Sequence, residues 1–198
     1  MPARFAGAGA LITHAVITGM SQSGKTLFAK NLAAGVLKKG RPVLVFDPIV
    51  CGQSGYGLNG WPGGCYVLGD WPRFLGVAWG SRSCFLIIDE AADVVEEDPA
   101  GLRKLMRRGR HIGGDGCGGH SVVLIAQRYL LSLDKSARDQ CSHVYAFCQS
   151  FNDAKSIGLD FNAPRLAEIV PALPKFHYVL ADKYGTLLPG IVKPPKRF

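Results

Sequence analysis

The chain has 198 residues, of which 47% are hydrophobic, and its 23 lysines and arginines outnumber 15 acidic residues to give a formal net charge of +8. No repeat or low-complexity segment divides it, so we expect one domain over residues 1–198 with a substantial core. No apolar run approaches the roughly 20 residues that span a bilayer, and the first residues do not form a signal peptide. The six cysteines form no Cys-x-x-Cys pair. These features exclude a membrane-spanning protein and a disulfide scaffold, and they predict a soluble protein with reduced thiols.

Strand-like and helix-like segments alternate along most of the chain. Apolar and β-branched runs predict strands at residues 15–18, 42–47, 66–68, 85–89, 121–126, 143–148, 176–181 and 186–192. Helical spacing predicts helices at residues 26–39, 71–79, 91–110, 136–140, 152–157 and 163–169. This alternation is typical of an α/β fold whose central sheet is mainly parallel and flanked by helices, with the last two strands forming a late antiparallel hairpin.

Two segments do not fit that alternation. Residues 51–64 contain six glycines and are predicted to form a surface excursion after the second strand. Residues 193–198 are basic and proline-rich and are predicted to form an extended tail.

A complete Gly-x-x-x-x-Gly-Lys-Thr motif occupies residues 19–26, between the first predicted strand and the first predicted helix. We call this segment the P-loop, because such a loop turns successive backbone N–H groups toward phosphates. Lys25 then reaches the β- and γ-phosphates, and the Thr26 hydroxyl can coordinate Mg²⁺. The motif predicts ATP and Mg²⁺ as ligands. The predicted nucleotide-binding residues are Gly19, Met20, Ser21, Gln22, Ser23, Gly24, Lys25, Thr26 and Leu27.

The apolar run at residues 84–88 ends in two carboxylates, Asp89 and Glu90. A run of this kind is typical of a central parallel strand whose carboxyl end emerges at a ligand site. Asp89 is predicted to hold the metal ion, and Glu90 to polarise the attacking water. The alternative is that both carboxylates only cap the helix that follows.

Five basic residues crowd the segment 101–111 and are predicted to lie on or beside one helix face: Arg103, Lys104, Arg107, Arg108 and Arg110. Like charges repel there unless an anion compensates them. The anion could be DNA phosphate, or the γ-phosphate bound by a neighbouring subunit. The alternative is a solvated helix face, offset by the acidic residues at 96–98. The glycine-rich segment 113–119 that follows is predicted to be a mobile loop near this surface.

Gln127 directly follows another apolar run, at residues 121–126. An amide at the carboxyl edge of the sheet can hydrogen-bond the γ-phosphate or the attacking water. The alternative is a polar residue at the end of a strand that pairs only with backbone.

The order of these motifs resembles the FtsK/HerA superfamily of P-loop ATPases: the P-loop, the strand ends at 46–48 and 88–90, the arginine-rich segment 107–111 and the Gln-Arg pair at 127–128. The short chain is most similar to the genome-packaging ATPases of tailless viruses with an internal membrane, of the tectivirus type. The resemblance implies a RecA-like core, a homo-oligomeric ring, a hexamer, and ATP-driven translocation of double-stranded DNA.

The same resemblance implies roles for particular residues. Lys25 and Thr26 bind phosphate and metal, Asp89 supports the metal, Glu90 is the general base, and Gln127 senses the γ-phosphate. One arginine acts in trans on the neighbouring nucleotide. Arg110 is favoured for that role, followed by Arg107 or Arg108, whereas Arg103 and Lys104 are predicted to contact DNA.

A packaging motor would have capsid or packaging-vertex proteins as partners and would act at the virion packaging vertex and in the host cytoplasm. Two other functions stay open. One is a filamentous-phage assembly or export ATPase similar to Zot, whose usual membrane span and extra domain are not evident in this sequence. The other is a vertex or scaffold protein that binds nucleotide without motor activity.

Overall fold

We describe the fold from a computed structural model, in which residues 13–50, 60–112 and 118–193 are described. The predicted tail beyond residue 193, the core of the glycine-rich loop at 113–117 and most of the excursion after the second strand, at 51–59, lie outside these residues.

Eight strands form a single mixed sheet in the order β3-β2-β4-β5-β1-β6-β7-β8. The strands are β1 His14–Thr18, β2 Val43–Phe46, β3 Cys65–Leu68, β4 Phe85–Ile88, β5 Ser121–Ala126, β6 Cys141–Phe147, β7 His177–Asp182 and β8 Leu187–Ile191. The first six strands in this order are parallel, and β7 and β8 add to the β6 edge as an antiparallel hairpin. The predicted α/β fold with a mainly parallel sheet and a late hairpin is therefore confirmed.

The α-helices in the described part are α1 Lys25–Leu37, α2 Trp71–Gly80, α3 Ala91–Glu97, α4 Pro99–Arg108, α5 Tyr129–Ser132, α6 Lys135–Gln140, α7 Phe151–Asp160 and α8 Leu166–Ile169. Side chains alternate across the strands, as in β4, where Leu86 and Ile88 face one apolar cluster and Phe85 and Ile87 face the other. Helix α1 packs in the second cluster, and buried residues of α2 to α8 pack in the first. Both faces of the sheet are thus covered, which explains why its central strands are apolar throughout.

The predicted helix over residues 91–110 is wrong, because the chain forms two helices there, α3 and α4. Pro99 begins α4, since proline lacks the N–H that a continuous helix needs but fits the first helical turn. Asp98 leaves the helical conformation and accepts a hydrogen bond from Gly101 N at 2.8 Å, which caps α4. The short helix α5 was not predicted from the sequence.

The hairpin turn at residues 183–185 forms as predicted. Asp182 Oδ1 accepts hydrogen bonds from Tyr184 N and Thr186 N, at 2.9 and 3.0 Å. Gly185 takes a positive φ of 82°, which a side chain would disfavour. Within the described ranges, Cys65, Cys84, Cys141 and Cys148 are free, and no helix is long and apolar enough to cross a membrane.

Candidate functional site

The P-loop connects β1, which ends at Thr18, with α1, which begins at Lys25. Gly19, Gln22 and Gly24 have positive φ values of 153°, 62° and 111° and curl the loop over the carboxyl end of the sheet. A Cβ on Gly19 would lie 2.6 Å from Phe147 Cβ, so glycine is required for this close approach. The loop is thereby held against the end of the neighbouring strand β6.

Lys25 and Ser23 provide polar groups inside the loop. Lys25 is buried, and its Nζ donates to Met20 O at 2.9 Å. Burial lowers the pKa of the Lys25 ammonium, while the carboxylates of Glu90 and Asp89 act in the opposite direction. Ser23 Oγ is buried and has no hydrogen-bond partner among the described residues. A buried cation and an unpaired hydroxyl within a curled loop fit the triphosphate that the motif predicts.

Asp89 lies directly after β4 and is nearly fully buried. Its backbone N donates to Phe46 O at 2.9 Å, and its Oδ1 accepts from Glu90 N at 3.1 Å. It lines one cleft together with Lys25 and Thr26. A carboxylate and a threonine hydroxyl are oxygen ligands of the kind that Mg²⁺ prefers, so these residues fit the predicted metal.

Glu90 adopts the left-handed conformation, with φ 49° and ψ 53°. This conformation is unfavourable for a long side chain, and such strain often occurs at functional sites. Glu90 holds the N-cap position of α3 but makes no side-chain capping bond. Its carboxylate instead accepts from Gln127 Nε2 at 3.4 and 3.5 Å. Helix capping therefore does not account for the Glu90 side chain.

Gln127 joins the P-loop to Glu90. It follows β5, its Nε2 faces the Glu90 carboxylate, and its Oε1 accepts from Ser21 Oγ at 3.2 Å. The amide thus bonds side chains rather than only backbone, unlike the alternative considered from the sequence. One polar cleft is lined by Ser21, Gln22, Lys25, Thr26, Asp89, Glu90, Ile125, Ala126 and Gln127.

Asp47, which directly follows β2, lies near the cleft and affects the pKa of Asp89. Its Oδ1 accepts from Ile49 N at 3.1 Å and its Oδ2 from Trp61 Nε1 at 2.9 Å, so both oxygens are bonded. Burial raises the pKa of Asp89 to about 6, and the negative charge of Asp47 acts in the same direction. Asp47 therefore both caps the turn before the excursion and helps to raise the pKa of Asp89.

These contacts predict a pH dependence of metal-assisted nucleotide binding. Protonation removes the charge with which Asp89 would hold Mg²⁺, so Mg²⁺-dependent ATP affinity should fall as the pH decreases through about 6. Asp47→Asn removes one charge that raises the pKa of Asp89 and should move the midpoint of this loss to lower pH. Calorimetric titrations between pH 5 and 8 would measure it, with the exposed Asp70→Asn as the matched control. Equal midpoints in wild type and Asp47→Asn would refute the coupling.

Arg110, favoured as the trans-acting arginine, lies at the amino end of the parallel strands, whereas the P-loop lies at their carboxyl end. Its Nη2 donates to Gln140 Oε1 at 2.7 Å, immediately before β6 begins. It is also near His14 at the start of β1, where burial lowers the pKa of His14 to about 4 and the Arg110 charge acts in the same direction. Arg110 therefore does not reach the P-loop of its own subunit.

The other basic residues of α4 have different surroundings. Arg103 Nη1 lies 3.6 Å from Asp134 Oδ2 in a partly exposed ion pair, and Lys104 Nζ lies 5.6 Å from the centre of the Trp79 ring. Arg107 and Arg108 are exposed and have no acidic partner among the described residues. The helix thus keeps two uncompensated charges near its carboxyl end.

Two residues beside the P-loop were not predicted from the sequence. Gln149 is buried; its Oε1 accepts from Thr18 Oγ1 at 3.3 Å, and its Nε2 has no partner among the described residues. It lies two residues beyond the end of β6, whereas Gln127 directly follows β5, and a polar residue so close to the end of an apolar strand could have revealed it. Phe176 N donates to Ser23 O at 3.0 Å, a non-local contact that no motif indicates.

No family model and no curated protein matches this sequence. Solved structures do match its fold. The genome packaging NTPase B204 of Sulfolobus turreted icosahedral virus 2, in complex with AMPPCP, has a TM-score of 0.69 at 18% identity over 92% of this chain and 97% of that chain. The chain has the fold of a viral genome-packaging NTPase. At 18% identity this match confirms the predicted P-loop NTPase fold.

The same fold occurs in a second packaging ATPase and in a conjugation coupling protein. The DNA-packaging ATPase B204 of Sulfolobus turreted icosahedral virus has a TM-score of 0.67 at 18% identity, covering 93% of this chain and 98% of that one. The pCW3 conjugation coupling protein TcpA, with bound ATPγS, has a TM-score of 0.65 at 12% identity, covering 92% of this chain but 60% of that one. The fold shared with these structures therefore extends over 92–93% of this chain.

Proposed function

We propose that this protein is an ATP-hydrolysing motor that translocates double-stranded DNA and packages a viral genome into a preformed capsid. The observation that carries the proposal is the chain of contacts from Ser21 of the P-loop through Gln127 to Glu90, beside the buried Lys25 and Asp89. It supports a site that both binds a triphosphate and activates water. The packaging NTPases with this fold cover the same length of chain and so support the specific activity.

Within the site, each residue has a chemical role. Lys25 and the loop N–H groups neutralise the β- and γ-phosphates, and Thr26 and Asp89 would hold a Mg²⁺ ion. A Mg²⁺ ion bound there supplies positive charge to the reacting phosphate. Glu90 accepts the proton of the attacking water, and Gln127 orients that water by contacting Glu90 and the P-loop together. The Gln127 contact thereby makes water activation depend on the state of the loop.

We also propose that the subunits form a homo-oligomeric ring, a hexamer, in which one subunit completes the site of the next. Arg110 lies at the amino end of the parallel strands, away from its own P-loop, a position from which it can contact the nucleotide of a neighbouring subunit. Arg107 and Arg108, exposed and uncompensated on the same segment, are the next candidates. In such a ring a trans-acting arginine stabilises the charge on the transferred phosphate.

The DNA surface is proposed to include Arg103 and Lys104 on α4. The Arg103–Asp134 pair is partly exposed, and exposed pairs are worth only about 0–1 kcal/mol, so a DNA phosphate can replace the carboxylate. The overall charge of +8 supports a polyanionic partner. A motor that must pass every sequence is expected to contact the DNA backbone rather than the bases. The packaging vertex of the capsid would be the protein partner.

The DNA proposal is tested by the salt dependence of duplex binding. Each phosphate contact contributes a slope of about −0.9 to log K against log salt, so Arg103→Ala with Lys104→Ala should make the slope less steep by about 1 to 2. Filter binding over a salt series would measure it. The pair Lys38→Ala with Arg165→Ala removes the same charge from exposed positions elsewhere and should leave the slope closer to wild type. An unchanged slope in the α4 variant would assign DNA contact to another surface.

A further inference from the structure

Phe176 is a partly exposed aromatic residue that touches the P-loop. Its backbone N donates to Ser23 O at 3.0 Å, and its Cδ1 lies 2.8 Å from the position that a Cβ on Gly24 would occupy. The side chain nevertheless remains 38% exposed. The ring therefore combines a fixed position beside the loop with a surface that is open to a ligand.

The backbone that carries Phe176 is strained and tied down. Its φ of 66° is unfavourable for a bulky residue, and such conformations persist where the surroundings hold them and often lie at ligand sites. Phe176 O accepts from Val192 N at 2.8 Å, just after β8. The next residue, Lys193, accepts from Asn31 Nδ2 of α1 at 3.1 Å. These bonds connect Phe176 directly to the P-loop and, through Val192 and Lys193, to helix α1.

The order of the strands indicates toward which side of β1 the nucleoside of a bound nucleotide extends. Glu90 and Gln127 follow β4 and β5, which lie on one side of β1, whereas β6 and β7 lie on its other side. The phosphate that is hydrolysed must face Glu90 and Gln127. The nucleoside therefore leaves the P-loop toward β6 and β7, where Phe176 precedes β7.

We propose that the base of the bound nucleotide stacks on the Phe176 ring, an inference that rests on the proposed nucleotide-binding function. Every base has a π-face that can stack on an aromatic side chain. The exposed Lys175 lies with its Nζ 5.1 Å from the ring centre, and a weak cation–π contact at an exposed site can give way to a base. Phe176 thus supplies affinity for the nucleoside, while the P-loop supplies affinity for the phosphates.

The test compares Mg²⁺-ATP with Mg²⁺-tripolyphosphate, which has no base, by titration calorimetry. Phe176→Leu keeps an apolar side chain against Gly24 but removes the π-face, so its ATP affinity should fall about 5-fold or more, while its tripolyphosphate affinity stays at the wild-type value. Phe176→Trp should keep ATP affinity, and its added fluorescence should change with ATP but not with tripolyphosphate. Tyr184→Ala, at the exposed hairpin tip, is the matched aromatic control.

Three results would overturn the inference. Equal weakening of both ligands by Phe176→Leu, in a variant that melts like wild type, would show that Phe176 only shapes the P-loop. Unchanged ATP affinity in that variant, with no response of Phe176→Trp to ATP, would show that the base lies elsewhere. Wild-type protein that binds neither ATP nor tripolyphosphate would overturn the proposed function itself, a result distinct from the other two.

Discussion

Glu90→Gln should bind ATP with nearly wild-type affinity and lose hydrolysis by about 10²- to 10⁴-fold, the usual range for removal of a general base. The substitution keeps the size of the side chain and its reach toward Gln127, which lies 3.4 Å from Glu90 Oε1. It removes only the ability to accept a proton from water. Titration calorimetry would measure binding, and phosphate release would measure turnover.

A matched control for this variant is Glu96→Gln, on the exposed side of the same short helix α3. It removes the same charge without touching the cleft, so its turnover should equal that of wild type. Hydrolysis by Glu90→Gln at nearly the wild-type rate would assign water activation to another group. Loss of binding together with hydrolysis would instead indicate that Glu90 shapes the P-loop.

Lys25→Ala should lose both binding and turnover. Hydrogen bonds to charged groups contribute about 1.5–3 kcal/mol, so ATP affinity should fall at least about 10-fold. The fold should survive, because burial disfavours the charged form of Lys25, as its lowered pKa indicates. The only hydrogen bond of its side chain among the described residues is to Met20 O. Calorimetry with ATP and a thermal melt would separate the two effects.

Lys38→Ala provides the control, since Lys38 is exposed at the other end of the same helix. At 1.5 Å per residue, that end lies about 20 Å from the P-loop. Lys38→Ala should keep wild-type affinity. An Lys25→Ala protein that remains folded and binds ATP as tightly as wild type would contradict the role of Lys25.

The sequence predicts the cleft well because its parts are local. The P-loop motif, and single polar residues placed directly after apolar strands, identify Lys25, Asp89, Glu90 and Gln127 before any contact is known. Parallel strands bring their carboxyl ends to one edge, so residues from distant segments meet without further information. The contact between Glu90 and Gln127, 37 positions apart, follows from this rule.

Other features depend on contacts that no local pattern reveals. The strained Phe176 is held by Ser23 and Val192, which come from distant segments, and the pKa of Asp89 depends on Asp47 from another strand. The break between α3 and α4 is different, because a local signal for it exists in the sequence. Pro99 disfavours a continuous helix and begins α4 instead. The role of Arg110 depends on a neighbouring subunit, so the structure of one chain gives only the position of this side chain within its own subunit.

The central proposal is that ATP hydrolysis moves this protein along duplex DNA, and the most direct test is displacement of a third strand annealed to a DNA duplex. Wild-type protein with ATP should release the third strand, whereas Glu90→Gln and Lys25→Ala should leave it in place. Hydrolysis by the wild-type protein that never releases the third strand, with or without stimulation by DNA, would contradict a motor and would favour a nucleotide-dependent vertex or scaffold protein.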